Sequence, residues 1–273
     1  MPAAHTSVHT LVITGYGTNA HAEAAHAARL AGAERADVVH FAEIVARRVR
    51  LEEYNWIIFP GGFLDGDDLG AAQAAAHRWR YSVDAEGVGL IDRLKAFIEA
   101  GSLILGICNG FQLLVKLGLL PGLDGKYFER QVSLSSNDSA RFENRWVYLA
   151  VNRQSPCVFT RDLSVLSAPV RHGEGKLVPL DEALLRRVRE NNLVALSYAD
   201  PLTFTPTMAY PDNPNGSPFG IAGLTDPTGR ILGLMPHPEA FTHPTNHPDW
   251  GRSDPAILGT VLFENAVNYL RGH

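Results

Sequence analysis

The 273-residue sequence contains only two cysteines, Cys108 and Cys157, and charged residues make up only 19% of it. Two cysteines are too few for a disulfide-stabilised scaffold, so each thiol is either a core residue or a reactive group. No run of lysines and arginines is long enough to follow a phosphate backbone, and the formal net charge is −5. Nucleic acid is therefore not expected as a partner.

Long apolar runs are also absent. No window approaches the roughly 20 continuous apolar residues of a membrane-spanning helix, and the first residues, MPAAHTSVHTLVITG, lack the basic start of a signal peptide. We therefore expect a cytoplasmic protein that does not bind membranes. Internal repeats and low-complexity linkers are missing too, so with 45% hydrophobic residues the chain is predicted to form one domain over residues 1–273.

Short apolar runs alternate with helical patterns through the first half of the chain. HTLVITG, YNWIIFPGG and SLILGIC are apolar throughout, which is typical of strands buried on both faces of a parallel sheet. After Gly118, strand-like runs are separated by turn residues, with one helical piece, DEALLRRVREN, and a closing helix that starts at Asp254 and Pro255. The pattern predicts an α/β fold with a mostly parallel central sheet and helices on both faces.

Cys108 lies in LILGICNGFQLL, between a predicted strand that ends at Ile107 and a predicted helix that begins near Asn109. Gly106 and Gly110 flank it in a G-x-C-x-G pattern like that of a nucleophile elbow, where a sharp turn leaves no room for neighbouring side chains. The positive end of the helix would favour the thiolate. The alternative is a small buried core residue, and the pentapeptide alone does not decide between the two.

Two further motifs supply the other parts of a cysteine-dependent site. In ILGLMPHPEAF, His237 and Glu239 follow a strand predicted to end at Met235, and residues two apart in an extended segment point the same way. The carboxylate could therefore orient the imidazole. In IIFPGGFLDGDDLG, a turn at Gly61 and Gly62 could present backbone N–H groups to an oxyanion. A solvated histidine and an ordinary turn are the alternatives.

Together these motifs resemble those of class I glutamine amidotransferases, and the resemblance implies a flavodoxin-like sandwich in which a Cys-His-Glu triad releases ammonia from glutamine. RHGEGK and NPNGSPFGIAGLTDPTGRILGLMPHPE are similar to the branch that forms the glutaminase subunit of phosphoribosylformylglycinamidine synthase, in purine biosynthesis. The likeness runs from about Leu11 to Glu239. Residues 71–89 and a C-terminal extension over residues 240–273 depart from it.

The resemblance also implies a role for each matching residue. Cys108 would be the nucleophile, His237 the general base and acid, and Glu239 the group that orients the imidazole. The oxyanion would be held by the backbone N–H of Asn109 and by that of either Gly62 or Phe63. Glutamine would be contacted by Gln112, His172 and Glu174.

A partner follows from the same resemblance. Ammonia would pass to a formylglycinamidine synthetase subunit, possibly with a small accessory subunit, and that partner would use ATP and magnesium to activate formylglycinamide ribonucleotide. No cofactor or metal is expected in this chain. The Gly-Glu-Gly-Lys run at 173–176 lacks the spacing and the Ser or Thr of a phosphate-binding loop.

Two other patterns in the sequence could indicate functions of other classes. The G-x-G-x-x-A pattern at 15–20 could be a dinucleotide fingerprint, but no acidic residue clearly marks the end of the next strand. His237, His243 and His247 could suggest zinc, but prolines around them break any helical face. Within the amidotransferase fold, another class I amidotransferase, a free-standing amidase and a non-catalytic regulatory module are the alternatives.

Overall fold

The computed structural model describes residues 7–252 and 257–272. Its strands, in chain order, are β1 (His9–Thr14), β2 (Arg35–His40), β3 (Trp56–Phe59), β4 (Leu103–Ile107), β5 (Val132–Ser136), β6 (Glu143–Val151), β7 (Val165–His172), β8 (Glu174–Pro179), β9 (Val194–Ala199), β10 (Ile221–Thr225) and β11 (Ile231–Leu234). Its helices are α1 (His21–Leu30), α2 (Phe41–Val45), α3 (Gln73–Tyr81), α4 (Leu90–Glu99), α5 (Asn109–Leu117), α6 (Glu182–Glu190) and α7 (Val261–Arg271).

A nine-stranded sheet organises the molecule, in the order β2-β1-β3-β4-β11-β10-β9-β6-β7. Strands β2, β1, β3, β4 and β11 pair in parallel. From β11 outward the pairing is antiparallel, and β5 and β8 form a separate antiparallel pair. The predicted α/β fold with a mostly parallel sheet is confirmed. The carboxyl ends of the parallel strands therefore meet at one edge, where ligand sites of such sheets form.

Helices cover both faces of the parallel half, and two aromatic residues of β3 show how. Trp56 and Phe59 are three residues apart, so their side chains point to opposite faces. Trp56 packs against Phe263 of α7 with 5.8 Å between ring centroids, whereas Phe59 packs against Trp79 of α3 at 5.6 Å. All four rings are fully buried, which explains why the run WIIF is apolar throughout.

Several boundaries differ from the sequence pattern. The apolar run ADVVHFAEI, residues 36–44, has the composition of a single strand, but β2 ends at His40, whose ring Nδ1 accepts the Ala42 N–H at 3.1 Å and caps α2. Strands β5 and β8 were not predicted, since their sequences, VSLSS and EGKLVP, mix polar residues with few apolar ones. No helix in the described ranges is long and apolar enough to cross a membrane.

The predicted C-terminal extension packs onto the same core. Helix α7 buries one face against the sheet, and the Gly259 N–H donates to the Phe241 carbonyl at 2.8 Å. A Cβ on Gly259 would lie 2.1 Å from the carbonyl oxygen of Pro238, so the tail runs directly against the segment that carries Glu239. The predicted helix start at 254 and 255 lies outside the described residues.

The contact between Trp56 and α7 predicts that this helix stabilises the whole fold. Phe263→Ala is expected to lower the free energy of unfolding by about 3–5 kcal/mol, because truncating a fully buried ring leaves a cavity. Asn268→Ala, on the exposed side of the same helix, should change it by no more than about 0.5 kcal/mol. Urea unfolding followed by tryptophan fluorescence measures both, and equal stabilities would show that α7 is dispensable to the core.

Candidate active site

Cys108 lies on a sharp turn between β4 and α5, with a φ of 52° and a ψ of −103°. A non-glycine residue adopts positive φ only under constraint. Here the constraint is packing, because a Cβ on Gly106 would lie 2.8 Å from the carbonyl oxygen of Gly110, and one on Gly110 would lie 1.9 Å from that of Phe59. The structure thus has the strand-to-helix turn that the G-x-C-x-G spacing predicts, for the predicted steric reason.

His237 and Glu239 form a buried pair beside this turn. His237 Nδ1 lies 2.6 Å from Glu239 Oε1, and the two residues are only 4% and 2% exposed. The expected backbone geometry is wrong, however: β11 ends at Leu234, and Pro238–Ala240 form a 3-10 turn rather than an extended segment. Pro238 favours this turn because its ring fixes φ near the helical value. The carboxylate therefore reaches the imidazole across a turn.

The electrostatics of His237 reflect its two neighbours. Burial by itself lowers the pKa of His237, but the charges of Glu239 and of the Cys108 thiolate outweigh it and raise the pKa to about 10. Glu239 occupies Nδ1, and the buried Nε2 has no hydrogen-bond partner among the described residues. His237 and Cys108 line the same cavity. The imidazole can therefore carry a proton close to the sulfur while the carboxylate fixes its orientation.

The loop after β3 offers a backbone donor at the same cavity. The Phe63 N–H donates to the Gly17 carbonyl at 2.8 Å, so this amide is already used. Gly62 pairs with Thr18 in an antiparallel bridge without mutual hydrogen bonds, an arrangement in which its N–H points away from the partner segment. The Gly62 N–H has no acceptor in the described part of the chain. Of the two predicted donors, the geometry favours Gly62.

The second predicted donor is the N–H of Asn109. It is the first residue of α5, so its N–H has no acceptor within the helix. Gly62 and Cys108 both line the cavity, and Asn109 directly follows Cys108. One of these N–H groups thus belongs to a residue that lines the cavity and the other to the residue that follows the thiol, an arrangement that could bind an oxyanion.

The cavity has a volume of about 600 Å³, within the usual range for small-molecule sites. Gln112, His172 and Glu174 all line it, as predicted for substrate contacts. The Gln112 Nε2 donates to the Glu174 carbonyl at 2.7 Å. Sequence reasoning missed the other eight lining residues, and only the acidic run after the glycine turn could have signalled one of them, Asp67. The eight are Asn19, Ala20, Glu23, Asp67, Ser136, Phe142, Arg171 and Gly173.

His172 is neutral and oriented. Burial, together with the positive charge of nearby His237, lowers the pKa of His172 to about 3. The amide nitrogen of Asn137 donates to two carbonyls, so its Oδ1 faces the His172 Nδ1 at 3.1 Å and that nitrogen carries the proton. His172 Nε2 is then a buried acceptor without a partner among the described residues. It can accept a hydrogen bond from a ligand N–H.

Acidic groups line one side of the cavity. Burial raises the pKa of Asp67, and the neighbouring charges of Glu174 and Asp68 raise it further. Glu23, from α1, also lines the cavity. A ligand with an ammonium group would relieve this repulsion.

The structure gives other roles to the residues of the rival motifs. Gly17 of the G-x-G-x-x-A pattern accepts the Phe63 N–H, and a Cβ there would lie 2.1 Å from the Phe63 carbonyl oxygen, so the glycine serves loop packing. His243 caps a 3-10 turn, and His247 Nε2 lies 3.3 Å from Ser167 Oγ. Within residues 7–252 and 257–272, no group of three or more His, Cys, Asp or Glu side chains has the spacing of a metal site.

Comparisons with known proteins place this geometry in a class. The family model for the CobB/CobQ-like glutamine amidotransferase domain matches residues 7–270, which includes the tail that the motif resemblance left out. The fold and the family match together define a class I glutamine amidotransferase.

Individual relatives narrow the assignment. The chain is 43% identical to the phosphoribosylformylglycinamidine synthase subunit PurQ of Methanococcus maripaludis strain C5, over 95% of this chain and 97% of the relative. It is 42% identical to the PurQ subunit of Dehalococcoides mccartyi, over 97% and 99%. A solved structure of PurLQS from Thermotoga maritima matches with a TM-score of 0.69 and 28% identity, over 97% of this chain and 100% of that one. The chain belongs to the PurQ family.

The different surroundings of the two cysteines predict selective alkylation. Iodoacetamide at neutral pH should modify Cys108, which lines the cavity beside an imidazolium, and leave Cys157 unmodified. Burial raises the pKa of Cys157 to about 11, so it stays a thiol. Peptide mapping by mass spectrometry locates the label, and urea-unfolded protein, in which both cysteines react, is the control. Preferential labelling of Cys157 would contradict this description of the site.

Proposed function

We propose that this chain hydrolyses glutamine to glutamate and ammonia as the glutaminase subunit of phosphoribosylformylglycinamidine synthase. One observation carries the proposal. Cys108, at a turn with positive φ, lines the same cavity as His237, and His237 is hydrogen-bonded to Glu239. End-to-end similarity to PurQ subunits supports the choice of this reaction among those of the class.

The first half-reaction forms a covalent intermediate. The Cys108 thiolate attacks the side-chain amide carbon of glutamine, and the carbonyl oxygen becomes an oxyanion that the N–H groups of Gly62 and Asn109 stabilise. Collapse of this intermediate breaks the carbon–nitrogen bond. The His237 imidazolium gives its Nε2 proton to the departing nitrogen, which leaves as ammonia, and a γ-glutamyl thioester remains on Cys108.

The second half-reaction releases glutamate. His237, now neutral, takes a proton from water, and the resulting hydroxide attacks the thioester carbonyl in the same oxyanion hole. The carbon–sulfur bond breaks and the thiolate of Cys108 is restored beside the imidazolium. Glu239 takes part only by orienting His237 and stabilising its positive charge.

Glutamine is held by neutral and acidic groups. We propose that Gln112, the neutral His172 and Glu174 contact the substrate amino acid. His172 Nε2 accepts a hydrogen bond from an N–H group of glutamine, and the acidic residues of the cavity favour the α-ammonium of glutamine. These contacts come from helix α5 and from strands β7 and β8, so binding depends on elements from both halves of the chain.

Ammonia released here must reach a second active site without being protonated in water. We propose that a formylglycinamidine synthetase subunit, with a small accessory subunit, receives it and uses ATP and magnesium for the amidation, so that this chain itself needs no cofactor. The match to the PurLQS structure supports such a complex. We place the reaction in the cytoplasm, where a catalytic thiol stays reduced.

Glutamate release from glutamine tests the proposal. Cys108→Ala should abolish release, whereas Cys157→Ala, which removes a fully buried thiol that does not line this cavity, should leave the rate near that of the wild type. Addition of the synthetase subunit with ATP and formylglycinamide ribonucleotide should increase the rate. Fast glutamate release at a rate that the partner does not change would indicate another amidotransferase or a free-standing amidase. No release under any condition would indicate a regulatory module.

The raised pKa of His237 predicts the pH dependence. The imidazolium that protonates the departing nitrogen persists through neutral pH and is lost as the pH rises through the raised pKa of about 10. Glu239→Gln removes a charge that raises this pKa, so the alkaline limb of kcat/KM should move to lower pH by about 1–3 pH units. Glu239→Asp, which keeps the charge, is the control. Identical alkaline limbs in the wild type and Glu239→Gln would refute the role of the carboxylate.

A further inference from the structure

The side chain of Asn109 is almost fully buried next to the nucleophile, and both of its polar ends are bonded. Its Oδ1 accepts the Leu64 N–H at 3.0 Å, and its Nδ2 donates to Gln112 Oε1 at 2.9 Å. The Gln112 Nε2 donates in turn to the Glu174 carbonyl at 2.7 Å. We call these four residues, Leu64, Asn109, Gln112 and Glu174, the amide chain.

The two ends of the amide chain fix its direction. The Leu64 N–H can only donate and the Glu174 carbonyl can only accept, so the oxygen of Asn109 must face Leu64 and the nitrogen of Gln112 must face Glu174. Reversing either amide would place two donors or two acceptors against each other. The amide chain therefore fixes the position of the loop after β3 relative to the start of β8.

The amide chain also closes a ring around the oxyanion loop. Glu174 Oε2 accepts the Ala71 N–H at 3.2 Å, so the segment from Leu64 to Ala71 is held at both of its ends. Leu64 lies two residues beyond Gly62, whose N–H is the free donor at the cavity. A contact at Leu64 thus limits the movement of the Gly62 amide.

We propose that Asn109 is a positioning residue. Its side chain holds the Gly62 N–H at a distance from the Asn109 N–H that lets both groups donate to the same oxyanion. The inference rests on the proposed function, because an oxyanion forms only if Cys108 attacks a carbonyl. The two donors belong to separate segments, and a small displacement of either one weakens their joint hold on the oxyanion. The oxygen of Asn109 ties the loop directly to the helix that carries the second donor.

The test compares two reactions of the same thiol. Asn109→Ala and Asn109→Leu are expected to lower kcat for glutamine hydrolysis by about 100-fold, measured with the synthetase partner present. The rate of Cys108 alkylation by iodoacetamide should stay within about twofold of the wild type, because this displacement of iodide by sulfur forms no oxyanion. Leucine keeps the branched heavy-atom skeleton of asparagine, so the second variant fills the space that the alanine variant leaves empty, and it carries the test if the alanine variant does not fold.

Two matched variants separate positioning from other effects. Gln112→Leu breaks the amide chain on the substrate side only, so it should raise KM more than it lowers kcat. Asn55 makes the same pattern of bonds at the opposite end of β3: its Oδ1 accepts the His9 N–H at 3.0 Å and its Nδ2 donates to the Ser7 carbonyl at 2.8 Å. Asn55→Ala removes an equally bonded amide far from the cavity and should leave kcat unchanged.

The outcomes distinguish this inference from the proposed function. A wild-type protein that releases no glutamate under any condition would refute the proposed function itself. Wild-type turnover with kcat of both Asn109 variants within about twofold would overturn the positioning role alone. A parallel fall of kcat and of the alkylation rate would also overturn it, because the damage would then lie in the nucleophile or the fold.

Discussion

The close packing of three backbone segments around Cys108 is the constraint on which the site depends. Gly106 and Gly110 face each other at the turn, and Gly110 lies against the carbonyl of Phe59, so neither position accepts a side chain. This contact holds Cys108 at the positive φ of the turn. The same contact brings the first turn of α5 beside the loop that carries Gly62, so one steric fit sets both the nucleophile and its oxyanion donors.

The charges around the thiol follow from the same arrangement. The 3-10 turn after β11 places Glu239 against His237, and this pair keeps a proton close to Cys108 despite burial. Burial, together with the positive charge of nearby His237, lowers the pKa of His172 and keeps it neutral. His237 thus carries a proton, whereas His172 offers a lone pair. The tail packs against Pro238, so the C-terminal part of the chain supports the turn that creates this asymmetry.

Much of the fold, and the turn that carries Cys108, could be predicted from the sequence. Buried parallel strands are apolar throughout, and a tight elbow demands glycines at fixed positions. Four features could not be predicted. The 3-10 turn at Glu239 and the choice of Gly62 over Phe63 depend on hydrogen bonds to residues distant in sequence, such as Gly17. Strands β5 and β8 pair only with each other and lack an apolar signature. The role of the Asn109 side chain leaves no periodic signal in the sequence, because it depends on hydrogen-bond partners from separate segments.

The most direct test of the central claim is a crystal structure of the protein after reaction with a diazoketone analogue of glutamine, which alkylates the catalytic thiol of such a site. The account predicts one covalent adduct, on Cys108, with the analogue's carbonyl oxygen within hydrogen-bond distance of the Gly62 and Asn109 amides. It also predicts His237 Nε2 beside the sulfur. An adduct on another residue, or a carbonyl oxygen directed away from both amides, would contradict it.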